Sequence, residues 1–573
     1  MKRTNAGNQA GSTTRTSTMT TAMSWPKYPL ARLMLALLLL CGGAGMAQAQ
    51  DANGVCRVTT TGVSANDGAD WAHPKNLMSA LAFNCKEVWV AQGVYFADAY
   101  PFYFTIIAKS KVYGGFAGNE TSSAQADPMA HRTILSGDKD HNDTNTDGNF
   151  IDESFNDIKG TNAQIVVKLQ ASPSASLKIT NTTVLDGFTI TGGDSKSISG
   201  FGGGVSCYGV GPGNECSPTL SRLVIVGNQA GYGGGLYLNG QAQGISSPVI
   251  EHVVFANNHA TQQGGALFCE AVTTGTCNPT LTDVAFAGNL ADSYGGAIYL
   301  DARVHGVSSP SLTDVTFDHN NATGAYGGAM MNLGNGGTSS PSLLNVTFSN
   351  NSALVGGAMY NLGQQDGSGI AGISHPLLRN VTFKDNHATS FGGGMYNWGA
   401  SYGDCSPTLI NVTFSGNSAG TKSGGAFFAT AVGSGNSDIS LTNVIMWGNT
   451  AGQSGSNIYI DRSQFATYTL SIKNSDLQGG DGSIAFDNGA ASTAWSDGIG
   501  NFSGDPHLGP LADNGGATLT MVPGPGDAID NGICAGAPGT DQRWIGRPQG
   551  GGCDIGAVEA EAVIDEIFKN GFE

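Results

Sequence analysis

The chain has 573 residues and carries 44 acidic against 26 basic side chains, a formal net charge of −18 at pH 7. An acidic balance of this size argues against nucleic acid and against anionic membrane surfaces as partners. Only 12% of the residues are charged and glycine occurs 86 times, so the surface is expected to be mostly uncharged and polar.

The N-terminus has the features of an export signal. An apolar run from Leu33 to Leu40 follows two basic residues and leads into Ala47-Gln-Ala49, a small-x-small cleavage site. We therefore predict a signal peptide over residues 1–49 and an exported protein, located outside the cell or on its outer surface. After cleavage, no remaining segment approaches the length of a transmembrane span.

Between the signal peptide and the repeats we predict an N-terminal cap (50–86) and irregular first coils (87–188). The first coils contain an acidic loop. In Asp143-Thr-Asn-Thr-Asp-Gly-Asn149, oxygen-bearing side chains alternate and a glycine follows, as in the first half of an EF-hand loop. The loop is either a calcium site or a solvated segment held by Asx turns, and the sequence leaves both interpretations open. No organic cofactor is expected. The candidate metal ligands are Asp143, Asn145, Asp147, Asp152 and Glu153.

A repeat fills residues 189–480. Ten anchor residues recur at intervals of 30 to 35, which indicates a solenoid. One of the best copies reads Asn345-Val-Thr-Phe-Ser-Asn-Asn-Ser-Ala353 followed by Gly356-Gly-Ala-Met-Tyr360, short strand-like segments separated by Asn and Gly-Gly turns. Three short strands per unit and no helix predict a parallel β-helix. The anchors are Ile190, Ile225, Phe255, Phe286, Phe317, Phe348, Phe383, Phe414, Met446 and Leu477.

The repeated residues have predictable roles in such a helix. The anchor phenylalanines should stack as a column in the core. The asparagine three residues after each anchor should lie in a turn, bonded to the backbone and to its counterparts in adjacent coils. These asparagines are Asn258, Asn289, Asn320, Asn351, Asn386, Asn417 and Asn449.

The Phe-x-x-Asn and Gly-Gly-Ala units resemble the repeats of the chlamydial-type polymorphic outer membrane proteins, which are pectin-lyase-like β-helices. The resemblance implies an all-β fold, a single-stranded right-handed parallel β-helix with a cap at each end. That family ends in an autotransporter barrel. The sequence after these repeats lacks the run of ten-residue alternating strands that a barrel needs, so we do not expect self-insertion into an outer membrane.

The sequence that follows the repeats, residues 481–560, contains Asp505-Pro-His-Leu-Gly-Pro-Leu-Ala-Asp-Asn-Gly-Gly516 and Gly552-Cys-Asp-Ile-Gly-Ala-Val-Glu559. These motifs are similar to a choice-of-anchor domain of bacterial surface and secreted β-helices, so we predict a C-terminal cap of that type. Residues 561–573 resemble a short sorting tail of proteobacterial exported proteins.

Nine cysteines remain after signal cleavage, and export permits disulfides. We predict the pairs Cys207–Cys216, Cys269–Cys277, Cys534–Cys553 and Cys56–Cys85. Cys405 is predicted to be free, because its partner position is occupied by Asn397. Metal ligation is the less favoured interpretation, because no Cys-x-x-Cys pair occurs.

A polar column is predicted on the outer face, three residues before each anchor. Its acidic members, Asp283 and Asp314, would lie about one strand spacing apart, near 4.8 Å, and so near the carboxylate separation of a retaining glycosidase. Arg222 and His252 on the same face would complete an enzyme-like strip. Alternatively, the column simply tolerates any polar residue. The members are Arg222, His252, Asp283, Asp314, Asn345, Asn380, Asn411 and Asn443.

An aromatic stripe, two residues after the alanine of each Gly-Gly-Ala unit, is also predicted to face outward. Such a ladder could bind sugar rings or a partner surface, or it could only stabilise the sheet beneath the loops. The stripe comprises Tyr237, Phe268, Tyr299, Met331, Tyr360, Tyr396, Phe428 and Tyr459, with Trp398 beside it.

Together these features favour an exported, non-catalytic surface or secreted β-helix that mediates adhesion or binds a carbohydrate or host-surface partner. The alternative is a polysaccharide lyase or glycoside hydrolase that uses Arg222, His252, Asp283 and Asp314. Fold analogy alone is a weak reason to prefer that alternative.

Overall fold

The computed structural model describes residues 54–82, 85–171, 177–196, 200–462, 467–487, 495 and 500–561. The predicted signal peptide and sorting tail lie outside the described residues, except for Glu561. Within the described part, no helix is long and apolar enough to cross a membrane. The described residues are nearly all β; their helical elements are a six-residue helix, Leu77–Ala82, and the 3-10 turns Ser123–Gln125 and Gly480–Ser483.

The strands form three parallel sheets. The first comprises Val55–Val58, Glu87–Ala91, Gly93–Phe96, Lys111–Phe116, Thr133–Ser136, Val184–Asp186, Phe188–Thr191, Thr219–Ser221, Val224–Val226, Val249–Ala256, Thr280–Ala287, Ser311–Asp318, Ser342–Ser349, Leu377–Lys384, Thr408–Ser415, Asn436–Trp447, Thr467–Lys473 and Asp476–Leu477. The second comprises Asp194–Ser195, Gln229–Tyr232, His259–Gln263, Leu290–Ala291, Asn321–Tyr326, Ser352–Val355, His387–Phe391, Ser418–Ala419 and Thr450–Ala451. The third comprises Phe104–Ile106, Val167–Gln170, Val205–Tyr208, Leu236–Asn239, Leu267–Val272, Ile298–Arg303, Met330–Asn335, Met359–Gln364, Met395–Ala400, Phe427–Val432, Ile458–Arg462 and Ile484–Phe486.

About 13 coils stack in the solenoid. The nine coils between Val184 and Arg462 each contribute one stretch to each sheet in turn, whereas the first coils and the last one have no strand in the second sheet. The predicted fold is confirmed. In one coil, Ser311–Asp318 is followed by Asn321–Tyr326 and Met330–Asn335. The turn before the third sheet needs glycine, because a Cβ on Gly328 would lie 2.0 Å from the carbonyl oxygen of Gly357 in the next coil.

The anchor phenylalanines form the predicted core column. Phe255, Phe286, Phe317, Phe348, Phe383 and Phe414 are all 0% exposed. Successive rings are nearly parallel, and their centroids are 4.5 to 4.9 Å apart. This spacing matches the distance between neighbouring strands, so each ring stacks on the ring of the next coil.

The asparagines form a buried ladder along the turn between the first and second sheets. Asn320 is representative: its Nδ2 donates to the carbonyl of Phe286 at 2.9 Å and to Oδ1 of Asn351 at 3.0 Å. Its own Oδ1 accepts from the backbone N and the Nδ2 of Asn289, at 3.1 and 3.0 Å. The side chain therefore satisfies turn groups that would otherwise be buried without partners.

All four predicted disulfides are present. Cys56–Cys85 ties the first strand to the segment after the helix Leu77–Ala82, whose residues Leu77 and Leu81 pack on the core of the first coils. Cys405 is buried and free. The strand register aligns Cys269 with Asn397 through three intervening coils, which agrees with the reason given for the free thiol.

Residues 500–561, named here the C-terminal segment, run along the outer face of the first sheet and do not simply close the end of the solenoid. The segment starts beside the last coil, where Phe502 pairs with Asp476. It extends back as far as Asp314, which accepts a hydrogen bond from Trp544 Nε1 at 3.0 Å. Ala528 and Ile555 pack on Ile445 of the first sheet, so the contact includes a small apolar core.

Candidate functional site

The polar column has one backbone conformation throughout. All eight members have positive φ, between 47° and 57°, so each first-sheet strand bends at this residue. Asparagine and aspartate adopt the left-handed conformation more readily than most other residues. The prevalence of Asn and Asp in the column is therefore explained by backbone geometry before any catalytic role is considered.

The first three members of the column contact acidic or basic side chains. Arg222 Nε donates to Asp186 at 2.9 Å, and Arg222 Nη1 donates to the carbonyl of Ala126 at 3.1 Å. His252 Nδ1 lies 2.7 Å from Asp283 Oδ2, and both side chains are exposed. The structure thus pairs His252 with Asp283, whereas the Arg222 guanidinium is directed towards Asp186.

Asp314 lies at the boundary of the covered part of the column. It accepts from Trp544 Nε1 and from Asn345 Nδ2, the latter at 3.2 Å. Burial raises the pKa of its carboxyl, and the nearby charge of Asp283 adds to the effect. The two aspartates occupy equivalent positions of adjacent strands, as predicted. Asp314 is however held by two donors, so in this arrangement it is a docking residue for Trp544.

The remaining asparagines of the column hold the C-terminal segment. Asn380 Nδ2 donates to the carbonyl of Thr540 at 2.9 Å, and Asn411 Nδ2 donates to that of Gly556 at 3.1 Å. Asn443 makes two bonds of 2.8 Å with the backbone of Ile533, one as donor and one as acceptor. These contacts cover the column from Asn380 onward, which the sequence did not predict.

Gln542 is the central anchor of the C-terminal segment and was also missed. It is 0% exposed, and its Nε2 donates to the hydroxyls of Thr347 at 2.7 Å and Thr518 at 2.9 Å. Its Oε1 accepts from the hydroxyl of Thr382 at 2.7 Å. A run of threonines at one outward position of the repeat, as at Thr347 and Thr382, was the only available signal in the sequence.

The aromatic stripe lies opposite the main core, but it is not the exposed platform that was considered. Tyr237, Phe268, Tyr299, Met331, Tyr360 and Phe428 are buried, and Tyr396, Trp398 and Tyr459 are partly exposed. A second layer covers it, formed by the apolar residue that precedes the Gly-Gly turn in six of the coils: Phe201, Tyr232, Tyr294, Tyr326, Val355 and Phe391. Tyr326 stacks on Tyr360 with centroids 4.6 Å apart, and Phe201 stacks on Tyr237 at the same distance. The stripe is a second hydrophobic cluster, which favours the stabilising role over sugar binding.

A groove, which we name the lateral groove, runs between the C-terminal segment and the C-terminal ends of several first-sheet strands, where Lys384, Ser415 and Trp447 are the last strand residues. Its volume is about 790 Å³. It combines the Trp447 side chain with charged and amide groups, including a Lys384–Asp385 ion pair of 2.7 Å. The polar and aromatic lining residues are Asn350, Lys384, Asp385, Ser415, Trp447, Asp505 and His507, and the larger apolar ones are Leu508, Pro510, Leu511 and Met521.

The predicted acidic loop encloses a smaller cavity, the acidic cavity, of about 170 Å³. Asp138, Asp143, Asn145 and Asp152 line it, together with Ser136, His141, Phe96 and Phe150. Burial raises the pKa of Asp152 to about 8, and the adjacent Asp143 carboxylate adds to the shift. Among the described residues, no group of three or more histidine, cysteine, aspartate or glutamate side chains is arranged so that it could hold a metal ion.

Two of the five predicted metal ligands point away from this cavity. Asp147 and Glu153 are exposed, and both accept hydrogen bonds from Asn149 Nδ2, at 2.7 and 2.6 Å. Asp138, which was not among the predicted ligands, instead faces the cavity. It follows Ser136 of the first sheet, so its position depends on the fold and not on the loop motif.

The stacked coils define a right-handed parallel β-helix of the solenoid class. Three segments, residues 252–270, 283–301 and 411–430, match the family model of the Chlamydia polymorphic membrane protein repeat. The chain therefore forms a β-helix that carries repeats of the polymorphic membrane protein type. The matched segments run from the polar column through the anchor and the Gly-Gly turn to the third sheet. A comparison with curated proteins finds no match.

Proposed function

We propose that the protein is exported to the cell surface or beyond, and acts there as a non-catalytic, adhesin-like β-helix that binds carbohydrate in the lateral groove. The repeat type supports a surface role, because the matching family is one of membrane proteins. The observation that carries the binding proposal is the groove itself. Its position depends on the docked C-terminal segment, so binding and docking are linked.

The lining of the lateral groove is mixed: Leu508, Leu511 and Met521 lie beside charged and amide side chains, a combination that can hold both the faces and the hydroxyls of a sugar. Its volume of about 790 Å³ lies in the range of small-molecule sites, about 300–1,000 Å³. Trp447 offers part of an aromatic surface, against which a sugar ring can pack. Asp385 and Asp505 can accept hydrogen bonds from sugar hydroxyls, and Lys384 can donate to them.

Glycan binding can be tested with an array followed by calorimetry on any glycan that binds. Asp385→Asn and His507→Asn alter the groove with little expected effect on folding. His507 has a φ of 47°, a conformation that asparagine tolerates. The matched control is Tyr402→Ala, which removes an aromatic side chain that is 64% exposed and outside the groove.

We expect Asp385→Asn to weaken binding at least about tenfold, the loss of one charge-assisted hydrogen bond. His507→Asn should also weaken binding, by a smaller factor, while the control binds like the wild type. An array without any hit would refute the proposal. So would groove variants that bind like the wild type. Cleavage of the bound glycan, seen as new reducing ends or unsaturated products, would favour the alternative enzyme.

A further inference from the structure

We propose that a pocket on the first coils, named here the basic pocket, binds a small saccharide that carries sulfate or phosphate esters. The pocket has a volume of about 490 Å³ and shares no residue with the lateral groove, so binding here is independent of binding there. Its charged lining residues are Arg57, Lys86, Glu87, Lys109 and Lys111.

The basic pocket concentrates positive charge in an acidic chain. Four of its five charged residues are basic, whereas the whole sequence has 44 acidic and 26 basic side chains. The single carboxylate, Glu87, accepts a hydrogen bond from Trp89 Nε1 at 2.9 Å, and its ion pair with Lys111 Nζ is long, at 4.0 Å. Glu87 therefore balances only part of the positive charge around it.

Two of the lysines lack an acidic partner within the described part of the chain. Lys86 and Lys109 are exposed, and neither forms an ion pair with a described residue. Glu120, next to the wall of the pocket, is occupied elsewhere, because it accepts the backbone N–H groups of residues 117–119. Like charges held close together repel one another, and an anion bound between them removes that cost.

The fold fixes where these basic side chains start. Arg57 and Lys111 belong to strands that flank the same neighbour in the first sheet, Glu87–Ala91. The Cys56–Cys85 disulfide joins the residue before Arg57 to the residue before Lys86, so these two basic residues are tied together. A site whose backbone is already held in place loses less conformational freedom when a ligand binds.

Esters of sulfate and phosphate on a sugar match the groups that line the basic pocket. Lysine ammonium groups bind such oxyanions as point charges, and the hydroxyls of Ser122 and Ser123 can donate to further oxygens. Glu87 can accept a hydrogen bond from a sugar hydroxyl, a group that a bare inorganic anion does not offer. The volume of about 490 Å³ lies in the range of small-molecule sites, about 300–1,000 Å³.

The acidic remainder of the chain limits the ligand to a short one. A nucleic acid or an anionic membrane would extend beyond the pocket, where the net charge of −18 opposes its binding. A small saccharide stays within the pocket, and at physiological ionic strength charges more than about 8 Å away are largely screened from it. We therefore expect binding of a small esterified saccharide and not of a long polyanion.

Calorimetry on the purified protein tests the proposal with two pairs of probes. Sucrose octasulfate is compared with sucrose, and fructose 1,6-bisphosphate with fructose, so the pairs distinguish sulfate from phosphate esters. Inorganic phosphate and a single-stranded oligonucleotide are titrated as other anions. The pocket variants are Lys86→Gln and Lys109→Asn, since Lys109 has a φ of 68°, which asparagine adopts readily. The matched control is Lys422→Gln, which removes the same charge from an exposed lysine outside the pocket.

We expect at least one esterified saccharide to bind, and its uncharged parent sugar to give no binding heat. Each pocket variant should weaken binding at least about tenfold, the loss of one charge-assisted hydrogen bond, while Lys422→Gln stays within about threefold. Binding should also weaken as sodium chloride is raised from about 0.05 M to about 0.5 M, because salt screens the charges. Melting curves followed by circular dichroism show whether each variant is folded.

The proposal is wrong if neither esterified saccharide binds, or if the uncharged sugars bind as tightly. Tighter binding of inorganic phosphate or of the oligonucleotide would also overturn it, and so would a control variant that loses as much affinity as the pocket variants. A further measurement needs no variant: the bound saccharide should protect Lys86 and Lys109, but not Lys422, from acetylation, as read by mass spectrometry. Equal acetylation of Lys86 and Lys109 with and without the saccharide would place binding elsewhere.

Discussion

Because the asparagine ladder is buried, we expect a large loss of stability when one of its asparagines is replaced by an apolar residue of the same shape. Asn320→Leu replaces the amide with an apolar group of similar size, so little cavity is created. Four hydrogen bonds disappear, two donated by Asn320 Nδ2 and two accepted by its Oδ1. Among the affected groups is the backbone N–H of Asn289, whose acceptor is Asn320 Oδ1.

The expected cost follows from the groups left behind. A typical hydrogen bond contributes about 1 kcal/mol, and a buried polar group without a partner costs about 1–3 kcal/mol. Asn289 Nδ2 keeps its bond to the carbonyl of Phe255, so it is only partly affected. We therefore expect a loss of about 3–6 kcal/mol in the free energy of unfolding.

Urea unfolding monitored by circular dichroism measures this loss, and hydrogen exchange at the Asn289 amide locates it. The control is Asn321→Ala. Asn321 is the next residue and is only partly buried, and its side chain makes no hydrogen bond to the described residues, so its change should cost less than about 1 kcal/mol. If Asn320→Leu lost no more than the control, or if the Asn289 amide stayed protected, the ladder would not stabilise the solenoid as argued.

Three further predictions follow from the cross-links and the C-terminal segment. Asn397→Cys should form a disulfide with Cys405, because the equivalent cysteine pairs in other coils have Cα atoms 5.7 and 5.8 Å apart. If the unfolded variant still showed free thiols with Ellman's reagent, this prediction would be wrong. Asp476 is buried, and burial raises its pKa to about 7, with Asp527 and Asp505 adding repulsion. The pKa of an aspartate in the unfolded chain is about 3.9, so the folded state binds the proton more tightly and the free energy of unfolding should fall as the pH rises from 4 to 7. Asp476→Asn should therefore stabilise the protein by up to about 4 kcal/mol at pH 8 but little at pH 4. Equal effects at both pH values would refute this. Gln542→Leu should speed proteolysis of the C-terminal segment at least about tenfold. It leaves the hydroxyls of Thr382 and Thr518 without a partner, and the Thr347 hydroxyl keeps only its bond to the carbonyl of Leu519. Gln549→Leu, an exposed control, should not change the rate.

Much of the scaffold could be predicted because its determinants recur with the coil. A residue that faces inward in one coil faces inward in the next, so the column around Phe317 and the ladder around Asn320 followed from the period alone. The same register explains Cys405: the position that would complete its disulfide carries Asn397. The repeat spacing therefore determined the core and the two cross-links within the repeats, Cys207–Cys216 and Cys269–Cys277.

The errors concern contacts between segments that the period does not relate. The aromatic stripe was correctly placed on the opposite face from the main core. The layer that covers the stripe was not predicted. Residues such as Tyr326 belong to the preceding strand of the coil, and only the Gly-Gly turn brings their side chains against the stripe. The docking of Gln542 on Thr347 joins residues 195 apart. No repeat or local motif encodes a contact of that range.

The C-terminal segment changes the meaning of the polar column. In a bare solenoid the column would be a continuous outer strip, and Asp283 beside Asp314 would resemble a pair of catalytic carboxylates. The docked segment covers part of the column. The asparagines from Asn380 onward form hydrogen bonds with backbone groups of the segment, and Asp314 accepts a hydrogen bond from Trp544. Only the part containing His252 and Asp283 stays open to solvent. The same docking creates the lateral groove, so the surface that this β-helix offers to a ligand depends on its own C-terminal segment as much as on its repeats.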